Sequence, residues 1–120
     1  MKPTLSSIEK QLLDFAKARD WDQYHSPKNI AMALSVEAAE LVEIFQWKTE
    51  AQSATLNEQD LQAARHEIAD VFLYLLTISR VLDIDILGAA QEKLELNGQK
   101  YPVEKSKGNA LKYGQLDQPS

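Results

Sequence analysis

Two pairs of acidic residues with equal spacing are the part of this sequence best suited to chemistry. Glu37 and Glu40 form the first pair and Glu67 and Asp70 the second, and each pair lies in a run that favours helix. Residues three apart on a helix lie on the same side, so four carboxylates can face one another if the two helices pack side by side. Apolar residues flank both pairs, which indicates that the acids lie on or beside buried faces.

Carboxylates beside apolar surface need a compensating charge. Two unit charges about 4 Å apart interact by roughly 4 kcal/mol at a surface-like dielectric, and buried acids are usually paired or bound to metal. Few cations lie nearby in the sequence, so a divalent metal is the expected partner. Hard oxygen ligands favour Mg²⁺, with Mn²⁺ as a substitute. The alternative is that both pairs are solvated helix faces, but two pairs beside apolar stripes favour metal.

Aromatic and polar residues near the acids are candidates for substrate binding. Trp47 and Tyr74 follow Glu40 and Asp70, where a nucleobase would require aromatics; ordinary core packing is an equal alternative. Trp21 and His25, in the first loop, could line the same pocket or a partner's. For His25, a backbone hydrogen bond within a packed loop is the competing interpretation.

The fourth helix carries Lys93, Asn97 and Lys100 on roughly one face. This face could supply positive charge to a triphosphate, or it is simply a solvated lysine face.

The two acidic pairs contain no histidine between them, which argues against a di-iron site.

Composition indicates one domain with an ordinary core: 120 residues, 44% hydrophobic and 26% charged. The net charge of −5 and pI near 5.0 argue against a nucleic-acid polymer or an anionic membrane as partner. The lack of cysteine excludes disulfides, zinc–thiolate sites and thiol nucleophiles. Without the apolar run of a signal peptide near the start, a cytoplasmic location is the default expectation.

Hydrophobic periodicity predicts an all-α fold, a bundle of four helices with no strand-like alternation. A capping box at Ser6 begins the first helix, Pro27 begins the second, and Asn57 caps the third. The predicted helices cover about residues 6–19, 27–50, 57–82 and 86–100. We expect residues 1–110 to form the domain and 111–120 a flexible tail. The third helix is apolar nearly all round from Ile68 to Leu76, which favours a homo-oligomer.

Several motifs together resemble the MazG-like superfamily of all-α nucleoside triphosphate pyrophosphohydrolases. The paired E-x-x-E and E-x-x-D motifs at 37–40 and 67–70 match its signature. Residues 19–29, 41–47 and 100–102, with the later Lys107-Gly108, resemble its dCTP pyrophosphatase branch. The resemblance covers roughly residues 5–110.

The resemblance implies hydrolysis of a nucleoside triphosphate between the α and β phosphates, which releases a monophosphate and pyrophosphate. It further implies roles for individual residues: magnesium ligation by Glu37, Glu40, Glu67 and Asp70, base or sugar contact by Trp47 and Tyr74, and phosphate contact by Lys93, Asn97 and Lys100. It also implies a dimer or tetramer with sites built partly from neighbouring subunits. Leu12 departs from the branch, which can carry a histidine there near the nucleotide.

No serine–histidine pair or cysteine offers a covalent nucleophile, so water is the expected attacker. Glu40 or Glu43 is the candidate base that takes its proton. The expected substrate is dCTP or a modified deoxynucleotide to be cleared from the nucleotide pool. The alternatives are a dUTP-preferring hydrolase of the same fold and a non-catalytic helical module that mediates interactions.

Overall fold

The computed structural model describes residues 2–115, and in this part of the chain the regular elements are all helices. The α-helices are α1 (Leu5–Ala18), α2 (Pro27–Phe45), α3 (Glu50–Ala54), α4 (Glu58–Val81), α5 (Ile86–Lys100) and α6 (Val103–Ser106). Short 3₁₀ helices lie at Asp22–Tyr24 and Tyr113–Gln115. The predicted all-α class is confirmed: the four long helices are those expected, and α3 and α6 are additional single turns.

The first helix begins earlier than predicted. Thr4, not Ser6, is its N-cap: the Thr4 hydroxyl accepts the N–H of Ser7, and the Ser7 hydroxyl accepts the N–H of Thr4. This reciprocal pair satisfies two of the backbone donors that a helix start leaves unpaired.

The second helix ends sooner than predicted, at Phe45 rather than near residue 50. Thr49 and Gln52 form a new capping box, in which each side chain accepts the other residue's backbone N–H. The box starts α3, so a separate helical turn occupies residues between the second and third predicted helices. Trp47 consequently lies in the turn between α2 and α3 and not in line with Glu40 on one helix.

The third and fourth long helices match the prediction closely. The Asn57 side chain accepts the N–H of Asp60 at 2.7 Å, as expected of an N-cap. Lys48 approaches Asp60 at 2.8 Å and thereby ties the end of the α2–α3 turn to the first turn of α4. These contacts fix where α4 starts, and therefore which of its residues face α2.

The chain divides into two compact units, Met1–Ile84 and Asp85–Ser120. In the first unit α2 packs along α4, and α1 also contacts α4. Its buried side chains are Ala16 from α1, Ile30 from α2, and Ala64, Leu76 and Thr77 from α4. This core is small for four helices, and it places α4 at the centre of the unit.

The second unit holds α5 and α6. No helix was predicted beyond residue 100, but Val103–Ser106 forms a helical turn. A turn follows at 106–109: Asn109 donates its N–H to the Ser106 carbonyl at 3.2 Å, and Gly108 has a φ of +82°. The division into a domain at 1–110 and a tail at 111–120 stays a prediction, and 116–120 lie outside the described residues.

Several large apolar side chains on α2 and α4 are left uncovered within the first unit. Ile68 is 57% exposed and Phe72 41%, both on the helix that the sequence marked as apolar nearly all round. Met32 and Val36 on α2 are also more than half exposed. Within the described residues, no helix combines the length and apolar character needed to cross a membrane.

Candidate active site

Packing of α2 along α4 brings three of the four predicted acidic ligands to one point. One carboxylate oxygen from each of Glu37, Glu67 and Asp70 lies within 4.8 Å of the other two. All three residues are half-buried. Three anionic oxygens held this close by two rigid helices form a preorganised site for a cation, because their mutual repulsion is relieved when a cation binds.

Two oxygens of this acid cluster have no partner. Glu37 Oε2 and Glu67 Oε2 are buried and lack a hydrogen bond within residues 2–115. A buried polar atom without a partner is costly. The donor set therefore fits a hard divalent cation such as Mg²⁺, which takes carboxylate oxygens and completes its shell with water.

The surroundings of the acid cluster raise the pKa of one of its carboxyls, that of Glu37. Burial, followed by the nearby carboxyls of Glu67, Glu40 and Asp70, raises the pKa of the Glu37 carboxyl from 4.5 to about 7. Each cause disfavours the charged form of Glu37: burial removes water from the anion, and the neighbouring carboxylates repel its negative charge. The fourth predicted ligand, Glu40, is thus an electrostatic neighbour of Glu37.

Glu40 and Glu43 lie on an adjoining surface. They line an open cleft of about 320 Å³ together with Ile44, Ala63 and Glu67. Glu67 therefore belongs both to the acid cluster and to this cleft. Glu40 is half-buried and Glu43 is exposed, so both predicted proton acceptors stand beside the cluster in contact with solvent.

A separate cavity of about 260 Å³ includes Asp70 in its lining. Its lining comes from α1, the α1–α2 connection and α4: Leu12, Phe15, Ala16, Trp21, His25, Asp70, Leu73, Tyr74, Thr77 and Arg80. The structure thus brings together three of the predicted substrate-binding residues, Trp21, His25 and Tyr74. Because Asp70 also lines this cavity, a ligand seated in it would extend directly to the acid cluster.

Aromatic packing fixes the wall that α1 provides. The rings of Phe15 and Trp21 meet edge to face with centroids 5.5 Å apart, and the Arg19 guanidinium lies 3.5 Å from the Phe15 centroid. Edge-to-face and cation–π contacts favour defined orientations. Phe15 and Trp21 therefore give the cavity an aromatic part of its lining whose orientation is fixed.

Trp47 is not part of this cavity in the single chain. It is 89% exposed and lines a separate open cleft of about 530 Å³, which Glu43, Lys48 and Asp60 share. Its role in substrate binding stays a prediction, and within one chain it does not face the same space as Tyr74.

Lys93, Asn97 and Lys100 lie on α5 in the second unit, spaced as predicted along one helix. Both lysines are exposed and Asn97 is half-buried. Their assignment to phosphate binding also stays a prediction.

Phe15, Thr77 and Arg80 also line the cavity, and none of them belongs to a motif that predicted this position. Thr77 had a usable signal, since positions 70, 74 and 77 follow the i, i+4, i+7 pattern of one helix face. Arg80 extends that face by another turn, but a lone arginine near a helix end carries no motif. In the sequence, Phe15 cannot be distinguished from an aromatic residue that packs in the core, because only its neighbours in the fold place it in the cavity lining.

Comparisons with known proteins agree with this architecture. The model of the MazG-like family matches residues 32–116. dCTP pyrophosphatase 1 of Rattus norvegicus is 38% identical over 96% of this chain and 69% of its own length, and the protein of the same name from Homo sapiens is 33% identical over the same shares. The crystal structure of a pyrophosphatase from Archaeoglobus fulgidus superposes with a TM-score of 0.79 at 37% identity, covering 85% of this chain and 95% of that one.

The chain therefore belongs to the MazG-like family. The prediction that it is an enzyme, a nucleoside triphosphate pyrophosphohydrolase, is confirmed by these relatives.

The raised pKa of Glu37 predicts how the metal-free protein responds to pH. Between about 4.5 and 7 the unfolded chain has lost the Glu37 proton while the folded chain retains it, so folding becomes less favourable as pH rises through this range. We expect wild type to lose stability relative to Glu37→Gln from pH 4.5 to pH 7. Urea unfolding with EDTA at several pH values measures this.

Saturating Mg²⁺ should remove this pH-dependent loss of stability of the wild type, because a bound cation favours the ionised carboxylate. Parallel pH profiles of stability for the two proteins in EDTA would contradict the raised pKa of Glu37.

Proposed function

We propose that this protein is a Mg²⁺-dependent hydrolase that cleaves deoxynucleoside triphosphates between the α and β phosphates, with dCTP or modified deoxynucleotides as substrates. The observation that carries the proposal is the junction at Asp70 of a three-carboxylate cluster with an aromatic-lined cavity. A nucleotide has the matching parts: a flat base at one end and a polyphosphate that requires a cation at the other. The relatives named dCTP pyrophosphatase 1 support the cytosine preference.

The residues divide into a metal-binding part and a base-binding part. Glu37, Glu67 and Asp70 would hold the metal, with Glu40 completing the set from α2. When bound, Mg²⁺ neutralises charge on the phosphates and acidifies bound water. Glu40 or Glu43 takes the proton of the attacking water, which forms a bond to the α phosphorus while the bond to the bridging oxygen breaks. Pyrophosphate leaves, and the monophosphate remains with the base in the cavity.

Base recognition is assigned to Trp21, His25 and Tyr74, and Leu12 belongs to the same cavity lining. Aromatic faces bind any base by stacking, whereas discrimination between bases depends on hydrogen bonds to the ring edge. The Leu12 side chain cannot make such a hydrogen bond. We therefore expect this enzyme to accept a wider range of bases than one with a histidine at position 12, and dUTP is the main competing substrate.

We also propose that the protein acts as a homo-oligomer, a dimer or a tetramer. The uncovered apolar side chains of α2 and α4, which include Met32, Val36, Ile68 and Phe72, support burial between chains. A neighbouring copy also offers a role to Trp47, whose 89% exposed side chain would be available to a partner's cavity. A phosphate-binding role of Lys93, Asn97 and Lys100 and a cytoplasmic location belong to the same proposal.

The direct test is product analysis on a substrate panel. Wild-type protein with Mg²⁺ is incubated with dCTP, 5-methyl-dCTP, dUTP and oxidised purine triphosphates, and products are separated by ion exchange. Monophosphate plus pyrophosphate is expected, with the highest kcat/KM for dCTP or its 5-methyl derivative. Diphosphate plus orthophosphate as products would contradict the proposed cleavage site, and a preference for dUTP would establish the competing substrate. Absence of both turnover and a Mg²⁺-dependent thermal shift would favour the non-catalytic module.

The metal assignment predicts that Asp70→Ala abolishes turnover. Loss of one ligand from a set of three weakens the cation site, while removal of one of several repelling charges leaves the helices folded. Activity should fall by at least about 100-fold, as with other losses of a group that stabilises developing charge, with unchanged circular dichroism. Glu58→Gln, on the same helix but outside the cluster, is the matched control, and near-normal activity of Asp70→Ala would refute the assignment.

The cavity assignment predicts that Leu12→His sharpens base selection. A histidine at this position adds a hydrogen-bonding group to an otherwise apolar stretch of the lining. One additional bond of about 1 kcal/mol should change the dCTP-to-dUTP ratio of kcat/KM about fivefold. Leu13→His is the control, since Leu13 is the half-buried neighbour outside the cavity lining; equal effects of both variants would contradict the role of position 12.

The exposed apolar face predicts that Ile68→Glu weakens assembly. A charge placed in an apolar interface loses its hydration, so the oligomer should dissociate to smaller species. Sedimentation velocity over a range of concentrations measures this, with Glu58→Gln as the control at a polar position of α4. A monomeric wild type at micromolar concentration would contradict the proposed assembly.

A further inference from the structure

Two walls of the cavity come from different parts of the first unit, and α1 supplies the rest of its lining. The helix α4 supplies one wall, from Asp70 to Arg80, and the connection between α1 and α2 supplies Trp21 and His25. A flat ligand held between them requires that the connection keep a fixed distance from α4. Two residues with no role in the proposed reaction, Asp22 and Arg80, are placed to fix that distance.

The attachment of the connection to α1 is extensive. The backbone N–H of Trp21 donates to the Ala16 carbonyl at 3.0 Å, and its ring packs on Phe15. Asp20 has a φ of +54°, in a region that non-glycine residues seldom adopt, and Gln23 donates to its carbonyl at 3.0 Å. These contacts orient Trp21 relative to α1 but do not reach α4.

The attachment to α4 is different in kind. Arg80 Nη2 lies 3.5 Å from Asp22 Oδ1, and among residues 2–115 this is the ion pair that joins the connection to α4. His25 Nδ1 lies 3.9 Å from the same oxygen, and it is buried without a hydrogen-bond partner in that part of the chain. Asp22 thus faces one lining residue from each wall.

We infer that Arg80 is a positioning residue, which acts through Asp22 to hold Trp21 and His25 at the distance from α4 that a nucleobase needs. The inference rests on the proposed function, because it takes the base as the occupant of the cavity. Both partners are partly exposed, with 34% of the Arg80 side chain and 44% of the Asp22 side chain accessible. An ion pair this exposed contributes little to the stability of the fold, so its loss should change the cavity without unfolding the protein.

The test is a double-mutant cycle on the preferred nucleotide. Arg80→Gln and Asp22→Asn should each raise KM by about two- to fivefold, the range an exposed ion pair can supply. The value of kcat should stay within error, because the acid cluster is untouched. The double variant should be no worse than either single one, since both changes remove the same interaction.

Two further variants complete the cycle. Arg80→Lys keeps the charge and should retain most of the wild-type KM. Lys10→Ala removes a more exposed ion pair, that of Lys10 with Asp14, whose residues do not line the cavity, and should leave KM unchanged. If Arg80 instead bound substrate directly, Asp22→Asn would leave KM unchanged and the two effects would add, which would overturn the positioning role.

A measurement without nucleotide separates this inference from the proposed function. The chain has two tryptophans, so in a Trp47→Phe background the fluorescence reports Trp21 alone. Arg80→Gln and Asp22→Asn should both raise the acrylamide quenching constant of Trp21. Unchanged quenching would overturn the inference even in an active enzyme, whereas raised quenching in a protein without nucleotide turnover would overturn only the proposed function.

Discussion

The constraint on which the rest of this structure depends is the packing of α2 along α4 with like charges at the contact. Glu37, Glu67 and Asp70 converge although each repels the others, and two of their oxygens lack a hydrogen bond in the described residues. Two helices would not adopt this arrangement for stability alone, because a buried unpaired charge destabilises the fold. Burial of Ile30, Ala64 and Leu76 along the same helices offsets that cost. The acid cluster is thus held in place by apolar packing along the two helices that carry it.

The helix α4 serves as the common scaffold of the two parts of the site. Asp70 and Tyr74, one turn apart, belong to the acid cluster and the cavity respectively, and Thr77 and Arg80 continue the cavity wall. The buried Thr77 hydroxyl donates to the Leu73 carbonyl on the same helix, so its polar atom is satisfied within α4. Because an α-helix is rigid over this distance, the spacing between a metal-binding group and a base-binding group is set by residue number.

The thin core of the first unit bears on the same design. Apolar side chains such as Ile68 and Phe72 are left uncovered on the helix that carries the site. If other copies cover this surface, as proposed, assembly and site formation share one helix. Folding, oligomer contacts and catalysis would then be coupled through α4. Trp47 would contact substrate only in the assembled protein, in the cavity of a neighbouring copy.

The sequence by itself determined the helical class, the start of α4 at Asn57 and the acidic spacing, because periodicity, caps and i, i+3 pairs are local properties. It misplaced the end of α2, since the capping box at Thr49 outcompeted continuation of the helix. The tertiary structure alone decided that Trp21, His25 and Tyr74 share a cavity with Asp70 while Trp47 faces elsewhere. The physical reason is that neighbours across helices are set by packing, which depends on contacts between residues far apart in the chain and leaves no local signal.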